Sequence, residues 1–214
     1  MEKTAVTIPV GADEFGGDLE MPDDAKAVVL FARGSGSVRG DSRDRVVADR
    51  LHQVGLGTLR FDLIADYETR ARGNVPEVPV LADRLEQATV WLRDREGARA
   101  TPVGYFGEGV GSAAALWAAA DRDVHIGAVV SLSGEPDAAL GRLGDMAAPV
   151  LLLVGDRDED LLDRNREAKQ RLGGAGKLTV VPNAGHPFEE AGSLGYAAKL
   201  AADWFQRYLM PKRR

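Results

Sequence analysis

The stretch Gly104-Tyr105-Phe106-Gly107-Glu108-Gly109-Val110-Gly111-Ser112-Ala113-Ala114-Ala115-Leu116 decides the fold. Pro102 to Phe106 reads as an apolar strand that runs into a tight glycine turn. Val110 to Ala120 then reads as an Ala-rich helix. This is the strand–turn–helix pattern G-x-S-x-G, in which a strained turn lifts a nucleophilic side chain out of a sheet. One residue departs from it. Gly109 occupies the position of the nucleophile, so the attacking atom is missing from an otherwise intact pattern.

Outward from this turn, the chain alternates strands and helices. Upstream, Ala25 to Ala32 is a continuous apolar run of the kind that forms a buried parallel strand. A loop from Arg33 to Gly40 follows, then a helix from about Ser42 to Val54 with Val46, Val47 and Leu51 on one face. Gly57 to Leu63 is a strand, Ile64 to Pro76 is polar and irregular, and Val78 to Arg93 has helical spacing. Downstream, strands are expected at Ile126–Leu132, Pro149–Val154 and Lys177–Val181. A short helix is expected at Asp137–Met146, and longer ones at Asp160–Leu172 and Gly195–Leu209. Before all of these, Thr4 to Val10 and Glu14 to Met21 read as a hairpin joined through Gly11-Ala12-Asp13. The pattern predicts one α/β domain over residues 1–214, a mostly parallel sheet with antiparallel N-terminal strands and helices on both faces.

Composition narrows the function. The chain has 214 residues, 44% hydrophobic and 28% charged, with a net charge of −6. This mild acidity argues against nucleic-acid or anionic-membrane partners, since only the tail Lys212-Arg213-Arg214 is basic. There is no cysteine, which excludes disulfides, thiolate nucleophiles and thiolate metal sites. No apolar run approaches a membrane span, and no signal peptide is visible at Met1-Glu2-Lys3-Thr4. A cytoplasmic protein is expected, as monomer or homodimer, acting on a small molecule. No histidine spacing supports a metal site, and no cofactor is expected.

Three loops carry the chemistry, each after the carboxyl end of an expected strand, where sites form in such sheets. They are the elbow Gly107–Gly111, the run Gly155-Asp156-Arg157-Asp158, and the run Asn183-Ala184-Gly185-His186-Pro187-Phe188. Their order of elbow, acid and histidine is that of α/β-hydrolase triads. With Leu30-Phe31-Ala32-Arg33-Gly34-Ser35-Gly36-Ser37 and Phe61-Asp62-Leu63, these motifs resemble the dienelactone-hydrolase-like group of α/β-hydrolases over roughly Ala25 to Leu209.

The resemblance implies roles residue by residue. Asp158 matches the triad acid, with Asp156 as its competitor, and His186 matches the base. The backbone N–H groups of Val110 and of Gly34 or Ser35 match the oxyanion donors. Arg33 stands where the family often has a histidine; it either pairs with an acidic neighbour or receives a substrate carboxylate. Glu108 either faces the cleft or is a solvated or oxyanion-loop-supporting carboxylate. Ser112, one turn into the helix, is read as a packing residue, as Ser35 and Ser37 are read as turn hydroxyls. His52 and His125 are read as structural. The resemblance implies hydrolysis of small esters or lactones. With Gly109 it leaves two alternatives open: a non-hydrolytic His–Asp enzyme (lyase, isomerase or cofactor-free oxygenase), or an inactive ligand-binding homologue.

Overall fold

The computed structural model describes residues 1–33, 42–65, 67–68, 76–95, 101–186 and 188–210. Eight strands form one sheet: β1 (Glu2–Val10), β2 (Asp13–Met21), β3 (Val28–Arg33), β4 (Gly57–Asp62), β5 (Val103–Gly109), β6 (Ala128–Gly134), β7 (Val150–Gly155) and β8 (Gly176–Val181). Their order across the sheet is β1-β2-β4-β3-β5-β6-β7-β8. The β1–β2 and β2–β4 pairs are antiparallel, and every other pair is parallel. The fold class expected from the sequence is the one observed.

The α-helices with described bounds are α1 (Ser42–Gln53), α2 (Val78–Asp94), α3 (Val110–Ala119), α4 (Glu159–Leu172) and α5 (Ser193–Leu209). Parallel central strands bury both faces, and β3 and β7 are buried at every position. Side chains alternate between two apolar layers. Val103 and Tyr105 of β5 pack with α2 and α3, and Phe106 packs with α1 and α5. Tyr105 is fully buried, and its hydroxyl lies 2.7 Å from Thr89 Oγ1, which satisfies both groups.

Several boundaries differ from the sequence reading. Strand β5 continues past Phe106 to Gly109, and β6 continues past Leu132 to Gly134, because the two keep pairing along the rising edge of the elbow. Arg33 ends strand β3 rather than starting a loop. The hairpin turn is tighter than Gly11-Ala12-Asp13, since Asp13 already pairs with Val10. Asp137–Asp145 is 3₁₀ helix, and α5 starts two residues early at Ser193. Val46 is exposed, whereas Val47, Ala48 and Leu51 of α1 are buried. Adjacent helical residues are about 100° apart, so Val46 and Val47 cannot share a face fully. Among the described residues, no helix is long and apolar enough to cross a membrane.

Candidate active site

The carboxyl ends of β5, β7 and β8 bring together the three motifs singled out in the sequence. At the first, β5 turns into α3 through Gly109, with φ +55° and ψ −127°. That conformation is open to glycine and costly for any other residue. Among the described residues beyond its chain neighbours, a Cβ built on Gly109 would meet nothing within 4 Å. Two residues earlier the opposite holds. A Cβ on Gly107 would lie 2.6 Å from Ser112 Cα and 2.8 Å from the Gly111 carbonyl. The turn is folded back so closely that position 107 admits no side chain. Val110 opens α3, where the first backbone N–H groups of a helix have no intrahelical partner.

Ser112 is fully buried and accepts a hydrogen bond from Ser131 Oγ at 3.0 Å. It packs the helix against β6, as its position one turn into α3 suggested. The register against β6 slips at the elbow. Glu108 pairs with Leu132 and Gly109 pairs with Gly134, which leaves Ser133 as an extra residue at φ +43°. Bulges of this kind recur beside active sites, and the sequence carries no signal for this one.

Asp158 caps the N-terminus of α4. Its Oδ1 accepts the Leu161 N–H at 3.1 Å, and its Oδ2 lies 4.0 Å from His186 Nδ1. The side chains are 27% and 44% exposed respectively, so the pair sits at the rim of the fold, open to a ligand. Asp156 does different work. Its Oδ1 accepts the Ala184 N–H at 3.2 Å and so ties down the loop that carries His186. The same loop donates the Gly185 N–H to both oxygens of Glu190, at 3.0 and 3.1 Å. That amide holds the Glu190 carboxyl below the ordinary carboxylate range. Asn183 and Phe188 flank the loop with φ of +56° and +67°. Such left-handed residues persist where the surroundings over-determine them, and buried Phe188 anchors the far end of the loop.

Arg33 and Glu108, two further expected site residues, sit in ion pairs. Arg33, 4% exposed, pairs with Asp44 of α1, and its Nε lies 3.8 Å from Asp62 Oδ1. Of the two readings of Arg33, pairing with an acidic neighbour is the one observed. Glu108 is bound at 2.5 Å by Arg43 Nη2 of α1. It therefore joins the elbow to α1 and is not a simply solvated carboxylate; Arg43 was not singled out from the sequence. Gly34 and Ser35, the expected partners of Val110 in holding an oxyanion, lie outside the described residues, as does Ser37. His52 Nε2 lies 2.9 Å from Thr58 Oγ1, and burial pushes its pKa down. His125 bonds the Asp123 carbonyl. Neither histidine belongs to the site. Among the described residues, no group of three or more His, Asp or Glu could hold a metal ion.

A twisted, mostly parallel sheet with a sharp strand-to-helix turn at its centre, followed in chain order by an acid and a histidine, defines the α/β-hydrolase class. Comparison with known proteins agrees. The model of the dienelactone hydrolase family matches residues 69–210, and the chain belongs to that family. The crystal structure of a dienelactone hydrolase from Anabaena variabilis superposes with a TM-score of 0.92 at 42% identity, over 97% of this chain and 98% of that one. Est1E from Butyrivibrio proteoclasticus, at 15% identity and a TM-score of 0.80 over 95% of this chain and 98% of its own, shares the fold. A protein of Mycobacterium tuberculosis provisionally named a phosphoribosyl transferase is 46% identical over 204 residues. That match covers 95% of this chain and 46% of the relative, so the chain spans about half the length of the curated relative.

Proposed function

We propose that this chain hydrolyses small esters or lactones by direct attack of water, with His186 as general base, Asp158 as its orienting acid and Gly109 as a vacant nucleophile position. The observation that carries the reading is the Asp158–His186 pair, 4.0 Å apart, at the same carboxyl edge of the sheet as an elbow whose Gly109 keeps a nucleophile's backbone geometry, with nothing among the described residues beyond its chain neighbours within 4 Å of a Cβ there. Water in that space gives a proton to His186 and forms a bond from its oxygen to the substrate carbonyl carbon. The carbonyl π electrons move to oxygen, and the negative charge is held by the Val110 N–H with a second donor expected from Gly34 or Ser35. Collapse of the tetrahedral intermediate breaks the C–O bond to the leaving alkoxide, which takes the proton from the His186 imidazolium. Asp158 stabilises that imidazolium meanwhile. No acyl-enzyme forms, so turnover is slow compared with a serine enzyme.

A second reading is favoured by the missing side chain at Gly109 itself: the protein binds a small ligand in a hydrolase-shaped cleft without chemistry. A lyase or isomerase using His186 to abstract a proton would need only the base and the cleft. The match covers only 46% of the tuberculosis relative, so the phosphoribosyl transfer in that relative's name is not carried over to this chain. Hydrolysis of a short-chain nitrophenyl ester separates these readings. Water-based hydrolysis predicts turnover that disappears in His186→Ala, with no labelling by a fluorophosphonate. Thermal stabilisation by a ligand without ester turnover would support the binding reading instead. Turnover that survives His186→Ala would sink the proposal.

A further inference from the structure

The buried residue Asn165 of α4 has a hydrogen-bonding pattern that packing does not explain. It is 0% exposed. Its Nδ2 donates to two carbonyls, Gly134 and Leu161, each at 2.9 Å. Its Oδ1 is buried with no hydrogen-bond partner among the described residues. An apolar side chain of similar volume would fill the space without burying an unpaired acceptor. What the amide supplies, and leucine would not, is a two-pronged donor.

Those two prongs join the halves of the site. Gly134 is the residue of β6 that pairs with Gly109 across the bulge, and the Gly109 carbonyl accepts the Glu135 N–H at 3.2 Å. Leu161 belongs to the first turn of α4, and its N–H is the donor that fixes Asp158 Oδ1. The other oxygen of Asp158 faces His186. A short path of hydrogen bonds therefore runs from the elbow through Gly134, Asn165 and Leu161 to the acid. We propose that Asn165 is a positioning residue: it sets the first turn of α4, and hence the Asp158 carboxylate, at a fixed distance from the elbow. This rests on reading Asp158 and His186 as the acid–base pair.

Two measurements on Asn165→Leu test it. Hydrogen exchange of the full chain reads the geometry without any need for activity. The Leu161 amide should lose protection at least about 10-fold while the amides of β7 and α2 keep theirs, the mark of a local opening. Unchanged protection at Leu161, or a parallel loss throughout the chain, would overturn the proposal. Ester kinetics in the Gly109→Ser background read the consequence. Asn165→Leu should lower kcat about 10-fold to 100-fold with KM within twofold, the size of effect that small misplacement of a catalytic group produces. In Gly109→Ser/Asp158→Ala the same change should cost nothing further, because Asn165 acts through Asp158. An equal loss in both backgrounds would overturn the positioning role. Absence of ester turnover in Gly109→Ser itself would count against the hydrolase reading, and the exchange result would then decide the role of Asn165 alone.

Discussion

Placing a hydroxyl back at the elbow, Gly109→Ser, tests the site and the fold together. The backbone there has φ +55° and ψ −127°, a region where a residue with a side chain carries strain of about 1–3 kcal/mol. Loss of glycine's freedom in the unfolded chain returns about 0.4–1 kcal/mol. Among the described residues beyond its chain neighbours, nothing lies within 4 Å of the new Cβ, so they add no packing penalty. The net cost spans about 0–2.6 kcal/mol and centres on about 1.3 kcal/mol, and at about 2–4 °C per kcal/mol for a chain of this size the Tm should fall by about 3–5 °C. The hydroxyl should gain a covalent route to hydrolysis. Removing the serine from an established triad costs about 10⁶-fold in kcat. With His186 4.0 Å from Asp158 and not yet in hydrogen-bond contact, we expect a smaller gain, at least about 10²-fold over the wild type. Differential scanning fluorimetry, nitrophenyl acetate kinetics and stoichiometric fluorophosphonate labelling check the three parts. A folded variant with an unchanged Tm would refute the strain argument. A folded variant that neither labels nor gains turnover would refute the idea that the oxyanion donors and the Asp158–His186 pair are aimed at residue 109.

Three further outcomes are expected. Gly107→Ala should destabilise the protein by about 3 kcal/mol or more, because the added methyl would meet backbone at 2.6–2.8 Å; urea melts measure it. In the Gly109→Ser background, Asp158→Ala should lower kcat by at least about 10-fold and by less than the about 10⁴-fold of an established triad. Asp156→Ala should instead loosen the His186 loop, which hydrogen exchange at Ala184 would show; the reverse ranking in kcat would make Asp156 the acid. Hydrogen bonding from Arg84, at 2.7 Å to both carboxylate oxygens, holds the Glu68 carboxyl below its ordinary value of 4.5 despite burial. A depressed carboxylate contributes stability that is present above the unfolded pKa and lost as pH falls through the folded one. The stability gap between wild type and Glu68→Gln, measured by urea melts, should therefore be full at pH 7 and shrink below about pH 4.5; a gap that widens with acid would refute it.

Most of the architecture could be read from continuous apolar runs. Val28-Val29-Leu30-Phe31-Ala32 and Val150-Leu151-Leu152-Leu153-Val154 can only be strands buried on both faces, and they are. Gly107, Gly109 and Gly111 placed the turn, and the loops ending in Asp158 and His186 follow the strands that the pattern predicted. What the sequence hid depends on register. A strand's end is set by how long its neighbour keeps pairing, so nothing in Gly107-Glu108-Gly109 showed that β5 would run through the elbow. The slip at Ser133 is likewise a property of two strands together. Side-chain partners far apart in sequence were equally silent. Arg43 with Glu108 spans 65 positions and Asn165 with Gly134 spans 31. No local pattern marks Asn165 among the polar residues of α4, since what distinguishes it is burial.

The turn geometry at Gly109 does not depend on what stands there. Glycine adopts φ +55° without penalty, so residue 109 itself neither imposes nor resists the bend. The constraint lies on either side of it. Gly107 is pressed against the Gly111–Ser112 backbone, the Ser131–Ser112 hydrogen bond holds the first turn of α3 to β6, and pairing with Gly134 fixes the strand end. Each of these contacts is made by backbone or by a buried hydroxyl away from position 109. The direction of the Val110 N–H follows from where α3 begins, and therefore from the same contacts. A serine and a glycine at position 109 then differ in strain and in one hydroxyl, while the Val110 N–H stays where it is. On the proposed reading, with His186 as base and water as the nucleophile, the comparison of Gly with Ser at position 109 isolates the covalent step.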